Sequence, residues 1–173
     1  STYVTVSAGN HAQGVAFTCN QLKRTHHVFL PEITPLQKVN RIKHFGGDHL
    51  ILHLVGTTFD DTVLHANEFA DRDKSRVFVH PFDDKDVIIG QGTVGVEIFN
   101  DMRASNLVPD VIVCPVGGGG LIAGVGAFSK GVDRNCRIYG VEAENANSME
   151  LSLHNNKITP VDNLDTFVDG ASV

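Results

Sequence analysis

The sequence has no run of apolar residues near the roughly 18 that a membrane-spanning helix needs. It has no basic run either, and its net charge is −6. That balance argues against nucleic acid and against an anionic membrane surface as partners. Cysteine is scarce: Cys19, Cys114 and Cys136 are scattered, odd in number and not at a metal-ligand spacing. A reducing compartment is therefore the expectation: the cytoplasm, or an organellar stroma or matrix in a eukaryote. The opening Ser1-Thr-Tyr-Val-Thr-Val6 lacks a basic region followed by an apolar core, so it does not read as a signal peptide. It also lacks an initiator Met and enters a strand at once, while Asp169-Gly-Ala-Ser-Val173 closes the chain without a helix cap. The chain is expected to begin and end in mid-fold. No repeat of fixed period and no low-complexity tract is present.

What remains is the composition of a soluble globular protein: 173 residues, 42% hydrophobic and 20% charged, enough for one large domain or two small ones. Strands are expected at Tyr3–Val6, Thr25–Leu30, His49–Val55 and Arg76–Val79. Helices are expected between them. The first runs from Ala12 to about Leu22, with Ser7 and Asn10 as candidate caps. The second starts at Thr34-Pro35 and carries Leu36, Val39, Ile42 and Phe45 on one face. The third carries Phe59, Val63, Ala66 and Ala70. Residues 1–79 thus read βαβαβαβ, an α/β class with a mostly parallel sheet and helices on both faces. A domain crossing is placed at His80-Pro-Phe-Asp-Asp84, dividing the chain into 1–78 and 79–173.

Beyond it, a helix is expected from Val87 to Met102. Gly90, Gly92 and Gly95 inside it imply close approach by another backbone or a ligand. Next comes an apolar strand, Val111-Ile-Val-Cys-Pro115, then Gly117-Gly-Gly-Gly120, then an apolar helix to about Lys130. A strand Arg137–Glu142 and a short helix Asn147–Asn155 complete the pattern.

The four-glycine turn is the strongest chemical signal. Strand, glycine turn and helix together make an anion site, because the first helical N–H groups have no internal partner and the helix dipole favours negative charge there. A phosphate site is expected at Gly117–Leu121. Ser7-Ala-Gly-Asn-His11 repeats the construction with small polar residues, and suits a carboxylate. Gly118-x-Gly120-x-x-Ala123, with Glu142 ending the next strand, also fits a relaxed dinucleotide-binding fingerprint. An NAD(P)-dependent oxidoreductase is therefore one alternative, and a non-catalytic module binding an amino acid or phosphate is another.

Five segments occur in order: Ser7-Ala-Gly-Asn-His-Ala-Gln-Gly14, Leu30-Pro-Glu-Ile-Thr-Pro35, His80-Pro-Phe-Asp-Asp84, Gly90-Gln-Gly-Thr93 and Pro115-Val-Gly-Gly-Gly-Gly-Leu121. Together they resemble the pyridoxal-phosphate enzymes of the tryptophan-synthase β fold (fold type II), specifically the serine/threonine dehydratases and serine racemases. Thr34-Pro-Leu-Gln-Lys-Val39 and Phe167-Val-Asp-Gly-Ala-Ser-Val173 resemble the biosynthetic threonine deaminase branch. The resemblance covers the whole chain, as part of a longer fold.

The resemblance implies pyridoxal 5′-phosphate as cofactor, with Gly117, Gly118, Gly119, Gly120 and Leu121 at its phosphate. It implies Asn10 at the oxygen of the ring hydroxyl and Gly170 beside the ring. Ser7, Ala8, Gly9, Asn10 and His11 match the loop that closes on the substrate carboxylate, and Ser7 matches the second acid/base of the racemases. Residues 1–78 match a small mobile domain and 79–173 part of a large cofactor-binding domain. The implied reaction is β-elimination on threonine, and on serine beside it, giving 2-oxobutanoate and ammonia from threonine. A small amino-acid substrate and a homo-oligomer of the intact protein are implied; nucleic acid and membrane are not.

The pattern departs in three places. The lysine that forms the Schiff base belongs to a motif upstream of Ser7 that these residues do not contain. The seven lysines present (Lys23, Lys38, Lys43, Lys74, Lys85, Lys130, Lys157) read as solvated. The isolated chain is therefore expected to be inactive. The residue facing the pyridine nitrogen is likewise not among those given. Ser148 stands where metal-binding members carry an acid six residues after the glutamate matching Glu142, so no metal site is expected there. Of the nine histidines, only His11 is singled out, and no pair reads as a zinc site.

Overall fold

The computed structural model describes residues 1–161 and Gly170. The chain divides into two compact units, Ser1–Pro81 and Phe82–Val173.

The first unit holds four strands: β1 (Thr2–Val6), β2 (His26–Leu30), β3 (Leu50–Leu54) and β4 (Arg76–Phe78). They form one sheet in the order β3-β2-β1-β4, and every pair is parallel. The expected parallel sheet is thus observed. The two central strands bury Val4, Val6, Val28, Phe29 and Leu30, as strands covered on both faces must, with Thr5 the buried polar residue between Val4 and Val6. Helices α1 (Asn10–Gln21) and α2 (Leu36–Gly46) cover Val28 and Leu30 through Ala12, Ala16, Val39 and Ile42. Helix α3 (Phe59–Asp71) covers Val4, Val6 and Phe29 through Val63, Ala66 and Phe69. Alternate residues of β2 thus face opposite layers. The hydroxyl of Thr58 caps α3, accepting from the Asp61 N–H at 3.1 Å.

Two local expectations fail here. Neither Ser7 nor Asn10 caps α1: Gly9 is the N-cap, Asn10 is already helical, and no side chain makes a capping hydrogen bond. The Ser7 hydroxyl instead accepts the Gly9 N–H at 3.1 Å in a local turn, the usual competitor of a cap. His49 leaves the strand as well, because Gly47–His49 make a 3₁₀ turn after α2.

The second unit pairs β5 (Val111–Pro115) with β6 (Arg137–Val141) in parallel, Val111 opposite Arg137 and Pro115 opposite Val141. Helices α4 (Lys85–Ala104) and α5 (Gly120–Val132) pack on one face around Phe99, Ile112, Cys114, Val125 and Cys136. Helix α4 begins two residues before the apolar periodicity does, since the Asp84 carboxylate accepts from the N–H groups of Asp86 (2.8 Å) and Val87 (3.1 Å).

Glycines bring α4 and α5 together. A Cβ on Gly124 would stand 2.3 Å from the Ile88 carbonyl oxygen, and one on Gly92 would stand 3.3 Å from that of Gly124. One on Gly95 would meet the Phe128 ring at 2.9 Å. Gly90 departs from expectation, being exposed with nothing within 4 Å of such a Cβ. Helix α6 (Ser148–Asn155) follows β6. Among the described residues, no helix is long and apolar enough to cross a membrane.

Candidate functional site

The glycine turn begins where β5 ends. The Val116 N–H still bonds the Val141 carbonyl at 2.9 Å, so the chain leaves the sheet at Gly117. Gly119 then takes the left-handed conformation (φ +84°, ψ −7°) and is the N-cap of α5. Only glycine adopts that conformation without strain. No side chain caps α5, and its first turn carries no acid. The first N–H groups of Gly120, Leu121 and Ile122 therefore lie outside the helical ladder, at the positive end of the dipole. The first ladder bond runs from Ala123 N–H to the Gly119 carbonyl at 3.0 Å.

Phe82 and Met149 shape this turn. A Cβ on Gly118 would lie 2.3 Å from Phe82 Cγ, and one on Gly120 would lie 3.0 Å from Phe82 Cα. One on Gly119 would lie 2.7 Å from the Met149 methyl carbon. The turn thus has backbone donors, no acid in the first turn of its helix and no room for side chains at Gly118, Gly119 and Gly120. Those properties fit a phosphate group. In the sequence Phe82 reads only as part of a domain crossing, and Met149 carries no signal at all.

Glu142 follows β6, and both of its carboxylate oxygens accept backbone hydrogen bonds. One carboxylate oxygen accepts the Met149 N–H at 2.9 Å and the other the Glu150 N–H at 2.8 Å. It caps α6 from the preceding strand end. The dinucleotide alternative gives this acid to a ribose hydroxyl; in the structure it holds the start of α6. A cavity of about 720 Å³ lies beside this glutamate, lined by Val116, Ile122, Glu142, Asn147 and Met149 among others. None of the four turn glycines lines it, though Val116, Ile122 and Met149 border both the cavity and the turn.

The first unit carries the other corner. Ser7, Ala8 and Gly9 lead from β1 into α1, and Asn10 is exposed at its first position. Gln13 N–H bonds the Gly9 carbonyl at 3.3 Å. His11 turns back onto the sheet, with Nε2 at 2.9 Å from Thr5 Oγ1 and 3.2 Å from the Val79 carbonyl oxygen. Thr5, absent from the sequence expectations, is buried on β1 and donates to the same carbonyl at 2.9 Å. Gly170 lies in an exposed turn, and a Cβ there would have nothing within 4 Å. Its neighbours 162–169 and 171–173, and with them most of the Phe167–Val173 motif, lie outside the described residues.

The clustered histidines resolve into packing. His27 Nδ1 lies 2.8 Å from His53 Nε2, and the His53 ring stacks on Phe29 at 4.2 Å. Phe69 lies against His27, and the Arg76 guanidinium sits 3.7 Å above Phe69. Burial first, then the neighbouring His53, Arg76 and His26, pushes His27 down to about 4. Burial lowers His53 also. All three cysteines are free and buried; burial raises the Cys19 and Cys114 thiols, which leaves them unreactive. Six of the seven lysines are exposed and Lys38 is partly buried.

A family model described as "Pyridoxal-phosphate dependent enzyme" matches residues 1–173. The "L-threonine dehydratase biosynthetic IlvA" of Halalkalibacterium halodurans is 44% identical over 170 residues, 98% of this chain and 40% of that protein. The solved processed form of threonine deaminase isoform 2 from Solanum lycopersicum superposes with a TM-score of 0.88 at 42% identity, covering 99% of this chain and 48% of that one. Maize serine racemase superposes with a TM-score of 0.86 at 30% identity, covering 99% of this chain and 50% of that one. The chain thus spans about 40% of the length of the curated relative and about half of each solved one.

Proposed function

This chain belongs to the family of pyridoxal-phosphate-dependent enzymes, and from that premise we propose that it forms part of a threonine dehydratase. The observation that carries the proposal is the uncapped, acid-free start of α5 behind the left-handed Gly119. The reaction assigned is the conversion of L-threonine to 2-oxobutanoate and ammonia, with L-serine as a second substrate.

Pyridoxal phosphate, when bound, supplies an electron sink for the carbanion formed at Cα of the substrate. The N–H groups of Gly117–Gly120 and Leu121 hold the phosphate, and the α5 dipole favours its charge. Phe82 keeps the turn in shape by filling the space beneath Gly118 and Gly120. The Asn10 side-chain amide would donate to the hydroxyl oxygen of the ring and so orient it. The N–H groups and the hydroxyl of the Ser7–His11 corner take the substrate carboxylate. Gly170 stands beside the ring.

None of the seven lysines is assigned the role of the base. The proposal therefore has the isolated 173 residues bind phosphate without turning threonine over. A homo-oligomer in the cytoplasm, or in a plastid stroma, completes the reading; the curated tomato relative carries the name chloroplastic.

The test is a pair of assays on L-threonine, following 2-oxobutanoate. The isolated chain is expected to show no product, while a longer protein that includes it produces 2-oxobutanoate. Product from the isolated chain contradicts the assignment of the base. No product from the longer protein contradicts the dehydratase reading.

A further inference from the structure

The carbonyl oxygen of Val79 can only accept hydrogen bonds. The Thr5 hydroxyl, 2.9 Å away, therefore donates to it and spends its hydrogen there. Toward His11 Nε2, also 2.9 Å away, Thr5 Oγ1 is then an acceptor. The second neighbour of Nε2 is the same Val79 carbonyl at 3.2 Å. Both contacts demand a donor, so the ring hydrogen sits on Nε2 and is shared between two acceptors. The Val79 N–H in turn bonds the Val4 carbonyl at 2.8 Å, which ties this residue to β1.

Thr5 is wholly buried between Val4 and Val6, where a third valine would continue the apolar run. Its hydroxyl is satisfied by this arrangement. The first turn of α1 has no side-chain cap of its own. His11 supplies its tether instead, from the second helical position to the sheet.

We propose that His11 is a positioning residue, whose Nε2–H fastens the start of α1 to Thr5 and Val79 and so sets where the N–H groups of the Ser7–Asn10 corner stand. This rests on the reading of that corner as the carboxylate site. His11 acts on the substrate through the backbone it holds, and its Nε2 is not a ligand of the carboxylate.

Glutamine and asparagine separate the two roles. In His11→Gln the amide nitrogen falls near the place of Nε2; in His11→Asn it falls near Nδ1 and cannot reach Thr5. The dehydratase that carries this chain is the protein to use, with KM and kcat for L-threonine measured in each variant. His11→Asn is expected to raise KM by up to about tenfold, the worth of roughly one hydrogen bond, with a much smaller effect on kcat. His11→Gln recovers most of that loss. Thr5→Val raises KM less, and the double variant Thr5→Val/His11→Asn costs no more than His11→Asn alone, as for two members of one network.

Equal damage from Gln and Asn, or additive damage in the double variant, overturns the proposal. Long-range ¹H–¹⁵N spectra of the histidine rings give an independent readout, and thermal melting confirms that each variant is folded. The His11 ring is expected to carry its hydrogen on Nε2, and a ring protonated on Nδ1 alone overturns the tether. If the wild-type protein binds no L-threonine, the carboxylate reading fails, and the ring spectra alone decide the tether.

Discussion

The Phe82 ring fills the space that a side chain on Gly118 would need. A Cβ there would lie 2.3–2.5 Å from three ring carbons, well inside contact distance. Gly118→Ala must therefore push Phe82 out or bend the turn. Either shift moves the N–H groups of Gly119 and Gly120. The affinity for pyridoxal phosphate is expected to fall at least about tenfold, as for losing one hydrogen bond to a charged group. An absorbance titration with the cofactor measures it. Phe82→Ala is expected to weaken binding too, by freeing the turn, and a combined Gly118→Ala/Phe82→Ala variant to do no worse than Gly118→Ala alone.

Glycines on the two packed helices α4 and α5 predict opposite effects. Gly124 on α5 faces Ile88 and Gly92, and a methyl there meets backbone at 2.3 Å and 2.6 Å. Backbone cannot step aside as a flexible side chain can, so Gly124→Ala is expected to cost about 1–3 kcal/mol or more. Gly90 on α4 has open space, so Gly90→Ala is expected to stabilise by about 0.5–1 kcal/mol through helix propensity. Urea unfolding of both variants checks the pair of signs.

Acid should weaken the first unit through the His27–His53 pair. The folded pKa of His27 is depressed to about 4, below its ordinary value of 6.5. The unfolded state therefore binds more protons between those values, and stability rises with pH across that window. It is fully present above about 6.5 and is lost as pH falls toward 4. His53 and His26 are shifted the same way by burial and add to the slope. Asp61 and Asp73 are lowered below 3.8 and so act only at more acid pH. Urea unfolding from pH 4 to 8 is expected to show this slope, and His27→Gln to flatten it.

Glu142 predicts an effect centred on α6. Its two oxygens accept the Met149 and Glu150 N–H groups. Glu142→Ala is expected to cost about 1–2 kcal/mol of local stability, the worth of a good N-cap. Faster amide exchange at Met149 and Glu150 would report it. Because Met149 lies over Gly119, a weaker hold on the cofactor phosphate is expected as a secondary effect.

Much of this was legible in the residues. The segments Tyr3–Val6 and Thr25–Leu30 read as strands, and the spacing of Val39, Ile42 and Phe45 announced α2. The glycine run marked a βα turn because only glycine tolerates the φ of +84° found at Gly119. Gly92 and Gly95 announced close approach, and α5 is what approaches.

Other features depend on contacts between distant residues. Thr5 and His11 meet Val79 across about seventy positions of sequence, which no local pattern encodes. Glu142 reads as a strand-end acid, and only the fold shows it capping α6. Ser7 has cap chemistry, but its hydroxyl found the nearer Gly9 N–H first.

The central claim is that the turn at Gly117–Leu121 holds the phosphate of pyridoxal phosphate. Its most direct test is a titration of the ¹⁵N-labelled chain with pyridoxal phosphate and, separately, with pyridoxal. The account predicts that the amides of Gly117, Gly118, Gly119, Gly120 and Leu121 shift with the phosphate ester and not with pyridoxal. Shifts of equal size with both compounds, or shifts that leave those amides unmoved, would contradict it.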